Sequence, residues 1–220
     1  MKVIQNLVPT SKYNIKCPNS MVPEFIVVHN TANDASAANE ISYMISNNNQ
    51  VSFHYAIDDK EIVQGIPENR NAWHAGDGAS GKGNRKGLSI EICYSKSGGK
   101  RFEEAEKLAA KFIAFKLKEK GWAIDKVKKH QDFSNKYCPH RTLDMGWQRF
   151  LDMVQAELNN LTKGDGKVAD KSAPSPWAKE AWEWAKEKEV TDGTNPQGPV
   201  TREQAITMIY RALKAVGVMK

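Results

Sequence analysis

Three features of the 220-residue sequence predict an α/β fold with a small helical appendage. Short β-branched apolar runs alternate with amphipathic stretches of helical period as far as Leu161. A polar, Gly- and Pro-bearing stretch then breaks the pattern, and only two short helical segments follow it.

The elements follow in order. Phe25-Ile26-Val27-Val28 reads as a buried strand that delivers His29 at its C-terminal end. From Ala35 to Asn47, Ala37, Ala38, Ile41, Met44 and Ile45 fall at helical spacing, with Asn33 or Asp34 as the expected cap. Val51, Phe53, Tyr55 and Ile57 alternate as a strand, which turns through Asp58-Asp59-Lys60 into Ile62-Val63 as a hairpin. The glycine-rich stretch Ala75 to Gly83 lacks a Gly-Lys-Ser/Thr in register after a strand, so it reads as a surface loop beside a site and not as a phosphate loop. Leu88 to Tyr94 is a further strand, Phe102 to Lys120 is an amphipathic helix closed by Gly121, and a second helix is expected from about Asp144 to Leu161.

This gives a domain over residues 1–161, a linker over 162–175 and a small helical module over 176–220. The module is too short for a robust core of its own, which points to docking or self-association. The net charge of +6 and pI near 9.1 suit an acidic partner such as nucleic acid, anionic wall polymer or a membrane surface, or simply a solvated basic surface. No apolar window approaches the roughly 18 residues of a membrane span. The N-terminal stretch, interrupted by Pro9 and Pro18, lacks the apolar run of a signal peptide. The chain is therefore expected to be made in the cytoplasm and to need another route out. Three cysteines cannot all pair, which favours reduced thiols or metal ligation.

The chemistry-bearing residues are few. His130 and Cys138 lie in one aperiodic loop, and His29 ends a buried strand. Imidazole and thiolate are good zinc ligands, and three protein ligands leave a fourth position open, as catalytic zinc needs. Loops also carry His and Cys without function, so spacing alone leaves both readings open. Glu91 sits within the apolar run Leu88-Ser89-Ile90-Glu91-Ile92-Cys93, either on an outward face with Ser89 and Cys93 or as the proton-transfer group that zinc hydrolysis requires. His54 reads as a packed histidine, His74 as a groove residue, His140 as a supporting neighbour of Cys138, and Cys17 and Cys93 as small core residues.

Five segments occur together and in order: Val27-Val28-His29-Asn30-Thr31, Phe53-His54-Tyr55, Ala72-Trp73-His74-Ala75-Gly76, Ser89-Ile90-Glu91-Ile92 and Lys136-Tyr137-Cys138-Pro139-His140-Arg141. Over about residues 1–160 the chain thereby resembles the type 2 N-acetylmuramoyl-L-alanine amidases, found as phage endolysins and bacterial autolysins. The resemblance implies a mixed central sheet flanked by helices and a Zn²⁺ held by His29, His130 and Cys138. It implies Glu91 as acid/base, Lys136 as helper of the oxyanion, and Asn30, Trp73 and His74 as substrate-binding residues. Some relatives have a catalytic tyrosine where Phe53 stands, leaving proton transfer to Glu91, or to Tyr55 from the opposite face. The implied substrate is peptidoglycan, with no nucleic acid partner, reached after holin-type or lytic release. A non-catalytic peptidoglycan-binding domain is the alternative.

The tail segment Glu189-Val190-Thr191-Asp192-Gly193 and, beyond it, Thr201-Arg202-Glu203-Gln204-Ala205 resembles a single S-layer-homology repeat. That resemblance implies binding of secondary cell-wall polymer, with Arg202 meeting the anion. One repeat would have to self-associate, through an apolar strip of Trp177, Trp182, Val190, Ile206, Ile209 and Leu213. A small helical cap with packed tryptophans is the other reading.

Overall fold

The computed structural model describes residues 1–163, 174, 178–194, 196, 198 and 200–219. They fall into two compact units, Met1–Thr162 and Lys163–Lys220.

The first unit is built on six strands: β1 (Ile4–Gln5), β2 (Phe25–Asn30), β3 (Tyr55–Ile57), β4 (Ile62–Gln64), β5 (Gly87–Ile92) and β6 (Val127–Lys129). They form one mixed sheet in the order β1-β4-β3-β5-β2-β6. All pairings are parallel except the β3–β4 hairpin. The central strands β2 and β5 pair over their whole length, Phe25 with Gly87 through Asn30 with Ile92, which aligns His29 with Glu91. Side chains alternate between faces. One set (Ile26, Val28, Leu88, Ile90, Ile92) joins the hydrophobic core, and the other leaves His29 and Glu91 together.

The core face is covered by α4 (Gly99–Lys120), whose Phe102, Ala105, Ala109, Phe112, Ile113 and Leu117 are fully buried. Gly121 ends it in the left-handed region at φ +64°, where a residue without Cβ is the least strained choice. Helix α2 (Ala37–Ser46) packs Ile41 and Met44 against the hairpin side of the sheet. Its cap is Ser36, which accepts from the Asn39 N–H at 3.3 Å; neither Asn33 nor Asp34 takes that role. Asn33 instead accepts from the Ala35 N–H, and Asp34 from Ser97.

Two expected elements differ. Residues 51–53 are not strand, because their polar groups bond elsewhere: the Ser52 N–H donates to the Trp73 carbonyl, and Ser52 Oγ accepts from the Trp73 N–H and donates to the Lys16 carbonyl. The helix expected from about Asp144 to Leu161 is α6 (Trp147–Lys163), which starts three residues later because Gly146, at φ +103°, divides it from a separate short helix, α5 (His140–Asp144).

Before β2 lie the short helix α1 (Tyr13–Lys16) and its preceding 3-10 turn. Lys16 is fully buried, and its Nζ donates to Asn47 Oδ1 (2.9 Å) and to the carbonyls of Asn49 (2.6 Å) and Val51 (3.2 Å). Lys12 donates to the carbonyls of Ile45 and Ser46 at the end of α2, satisfying groups the helix leaves open. The two lysines hold the segment after α2 in place.

The second unit contains α7 (Lys179–Glu187) and α8 (Arg202–Ala215). Thr201 caps α8 in a reciprocal box with Gln204. Ile206, Ile209, Tyr210 and Leu213 are exposed, but Val190 is buried at 6% and so does not belong to the expected apolar strip. Trp182 is half-buried, and Trp177 lies outside the described residues. No described helix is long and apolar enough to cross a membrane.

Candidate metal centre and active site

β2 brings His29 to the C-terminal edge of the sheet, and the turn after β6 brings His130 beside it. The two Nδ1 atoms stand 3.0 Å apart, and Cys138 Sγ lies 3.9 Å from His29 Nδ1. The three donor atoms fall within 4.8 Å of one another and all three residues are buried. Two imidazole nitrogens and a sulfur converging on one point match the ligand set and reach of a three-ligand zinc site. All three histidines around this point are held neutral. Burial, then His74, His130 and Lys136, push His29 well below its usual pKa. Burial, then His54 and His130, do the same for His74. Burial and Lys136 lower His130 to about 4. Neutral imidazoles offer their lone pairs to a metal.

His74 stands directly behind His29. Its Nδ1 lies 3.0 Å from His29 Nε2, with the rings edge to face. If His29 presents Nδ1 to a metal, its proton sits on Nε2 and is donated to His74. This contact joins residues 45 apart in the chain, and nothing in their spacing announces it. His54 is fully buried, bonded to Ser89 Oγ and the Arg70 carbonyl, as a packed histidine should be. His140 does not support Cys138. Its Nε2 faces the Ser95 carbonyl at 3.4 Å.

Glu91 is half-buried, with Oε2 fully buried and lacking a hydrogen-bond partner. Burial, and then Glu40, push its pKa up to about 8, with Lys136 opposing. Lys136 is exposed. A cavity of about 590 Å³ is lined by His29, His74, His130, Trp73, Ser134 and the glycine loop. A second, of about 470 Å³, is lined by Cys138, Asn30, Thr31, Glu40, Tyr43 and His140. The two share Val51, Phe53, Glu91 and Lys136, so the donor cluster and Glu91 stand where the hollows meet.

The glycine loop is rigidly held. Asn84 Oδ1 accepts from the His74 and Ala75 N–H groups, both at 2.8 Å, and Asp77 accepts from Gly83 and Asn84. Gly76, at φ +71°, is needed there. A Cβ would be strained and would come within 3.3 Å of Ser134 Oγ.

Other expected residues divide. Trp73 lines the larger cavity, with its indole N–H on the Ile15 carbonyl at 3.0 Å. Asn30 lines the second, but its side chain is committed: Oδ1 accepts from the Arg141 and Thr142 N–H groups and Nδ2 donates to the His29 carbonyl. Tyr55 aligns with Ile90 on the core face, sets its ring against Phe112 of α4 and donates to Glu68 Oε1 at 2.7 Å, so its hydroxyl is committed to Glu68 and not to the donor cluster. Arg202 opens α8 in the second unit and is exposed. Two groups passed over in the sequence, Thr31 Oγ1 and Ser134 Oγ, are buried, unpartnered and line the hollows.

Comparison with known proteins gives the same picture. Residues 19–141 match the family model for N-acetylmuramoyl-L-alanine amidase. The chain is 52% identical to N-acetylmuramoyl-L-alanine amidase CwlA of Bacillus subtilis (strain 168), across 98% of this chain and 80% of that protein. It is 58% identical to XlyB of the same organism, across 81% of this chain but only 55% of XlyB. Among solved structures it resembles PlyL, with a TM-score of 0.68 at 52% identity over 70% of this chain and 97% of PlyL. It also resembles the catalytic domain of XlyA, with a TM-score of 0.64 at 36% identity over 70% of this chain and 99% of that domain. Sequence, sheet and site agree: this chain belongs to the N-acetylmuramoyl-L-alanine amidases and hydrolyses the bond between N-acetylmuramic acid and L-alanine in peptidoglycan.

Proposed function

We propose that the reaction is zinc-dependent, with the metal held by His29, His130 and Cys138 and with Glu91 as the group that moves protons. The observation that carries this reading is the meeting of the three donors beside Glu91, whose carboxyl has a buried oxygen with no partner. When bound, zinc supplies Lewis acidity to the scissile carbonyl. Glu91 takes a proton from the attacking water and gives it to the alanine nitrogen as the C–N bond breaks. Burial raises this carboxyl, and the charge of a zinc bound beside it would draw it back toward the ionised form that a general base needs near neutral pH. Lys136, on the rim of both hollows, meets the negative charge that develops on the carbonyl oxygen. The two hollows take the parts of the substrate on either side of the bond, with Trp73 and His74 beside the larger one. Asn30 acts on substrate through the backbone it holds.

The second unit we read as an S-layer-homology-like module that meets secondary cell-wall polymer through Arg202 and associates with its own copies. The chain reaches the wall by holin-type or lytic release.

The test combines metal analysis with turnover. Glu91→Gln should retain one zinc per chain and lose at least about a hundredfold in turnover, the low end for removing a general acid/base. Cys138→Ala should lose stoichiometric zinc. Wild-type turnover in the first variant, or full zinc in the second, refutes the assignment.

A further inference from the structure

On the far side of the glycine loop lies a smaller hollow of about 350 Å³. The loop separates the two: Gly78, Ala79 and Asn84 line the large cavity, whereas the adjoining Ser80 and Arg85 line the small one. Ser20, Met21, Val22 and Lys86 complete its lining, so no carboxylate faces it.

Arg85 is the unusual member. It sits in the short helix α3 (Lys82–Lys86) and is half-buried, and its Nε is fully buried without a hydrogen-bond partner. No described residue forms an ion pair or ring contact with its guanidinium. Folding thus strips water from an N–H of a permanent cation and gives nothing in return, which is costly unless a ligand supplies the acceptor. Lys86 differs. It is paired with Glu24 at 3.0 Å on the surface, leaving Arg85 as the hollow's uncommitted charge. The hydroxyls of Ser20 and Ser80 add two donors.

We infer that this hollow binds an oxyanion carried by the cell wall, with the Arg85 guanidinium as a forked donor. A planar fork suits a phosphate or carboxylate better than any other cationic side chain does. In a wall hydrolase two sources share that chemistry: phosphodiesters of an anionic wall polymer and carboxylates of the stem peptide. A grip just beyond the glycine loop would hold the wall beside the catalytic cavity. It rests only on the enzyme's acting on the wall, not on the zinc or Glu91 assignment.

The experiment reads binding and not cleavage. In the full-length protein, the Arg85 Nε–H resonance should shift saturably on titration with inorganic phosphate. Arg85→Gln should abolish the saturable site, and Arg85→Lys should recover only part of it. Sedimentation with purified walls in the cold then finds the source. Arg85→Gln should weaken binding about tenfold. Loss confined to intact walls, absent with walls freed of phosphodiester polymer by hydrofluoric acid, assigns the phosphodiester. Loss on both assigns the stem carboxylate. No shift of Arg85 Nε–H with phosphate, or wall binding by both variants equal to wild type on both preparations, overturns the proposal. Arg85→Lys keeps the charge and serves if Arg85→Gln does not fold.

Discussion

Replacing His74 by Phe tests how the metal centre is organised behind its ligands. The ring volume stays, but the acceptor for the His29 proton goes. In the metal-free site that proton has two places to be: on Nε2, facing His74 Nδ1, or on Nδ1, facing His130 Nδ1, with 3.0 Å to the acceptor in each case. Only the first leaves Nδ1 free to ligate. Without His74 the balance tips to the second, and zinc must displace a hydrogen-bonded proton to bind. Loss of such a supporting contact typically weakens metal affinity by about 10–100-fold, or about 1.4–2.7 kcal/mol. Chelator competition should therefore give an apparent zinc Kd raised by about 10–100-fold in His74→Phe, and no change in a His140→Phe control, whose ring faces the Ser95 carbonyl. Wild-type zinc affinity in His74→Phe, confirmed in His74→Ala, would refute the tautomer reasoning.

Acid should expose the Glu68 cluster. Burial alone would raise this carboxyl. Hydrogen bonds from Lys116 and Lys120 (2.8 Å each) and from Tyr55 outweigh it and hold the pKa near 2. Against about 4.3 in the unfolded chain, this contributes about 3 kcal/mol that is fully present above pH 4.5 and lost as pH falls toward 2. In urea titrations Glu68→Gln should be less stable at neutral pH and flatter between pH 4.5 and 2, and an unchanged acid slope would contradict this. For the tail, Ile206, Ile209, Tyr210 and Leu213 repeat at i, i+3, i+4 and i+7 along α8 and are 68%, 61%, 47% and 37% exposed. Full-length protein should run as an oligomer by light scattering and a chain ending at Leu161 as a monomer. The truncation should weaken wall binding more than cleavage of a soluble muropeptide. A monomeric full-length protein with unchanged wall binding on truncation would make the tail a cap.

Strands with β-branched apolar runs, β2 and β5, and the long α4 were legible because their period carries the burial directly. The edge strands β1 and β6 were not, since two-residue and Lys-bearing segments such as Val127–Lys129 show no alternation. The alternation at 51–57 misled before Tyr55 because Ser52 bonds to Lys16 and Trp73, partners far away in sequence. Burial of Lys16 was likewise invisible, because it depends on carbonyls from the loop after α2. Ligand types could be read from His29, His130 and Cys138 together with the family motifs. The role of His74, the free hydroxyls of Thr31 and Ser134, and the lone guanidinium of Arg85 are products of tertiary contact, which residue type does not encode.

The alignment of His29 with Glu91 across β2 and β5 carries a consequence for how this enzyme fails. A slip of β5 by one residue along β2 would turn Leu88, Ile90 and Ile92 out of the core and carry Glu91 away from His29 in the same movement. No packed form of these two strands can therefore hold His29 and Glu91 apart, and no slipped form can hold them together. Heat or denaturant should extinguish catalysis along the same curve that melts the central sheet, so residual activity counts intact molecules rather than damaged ones.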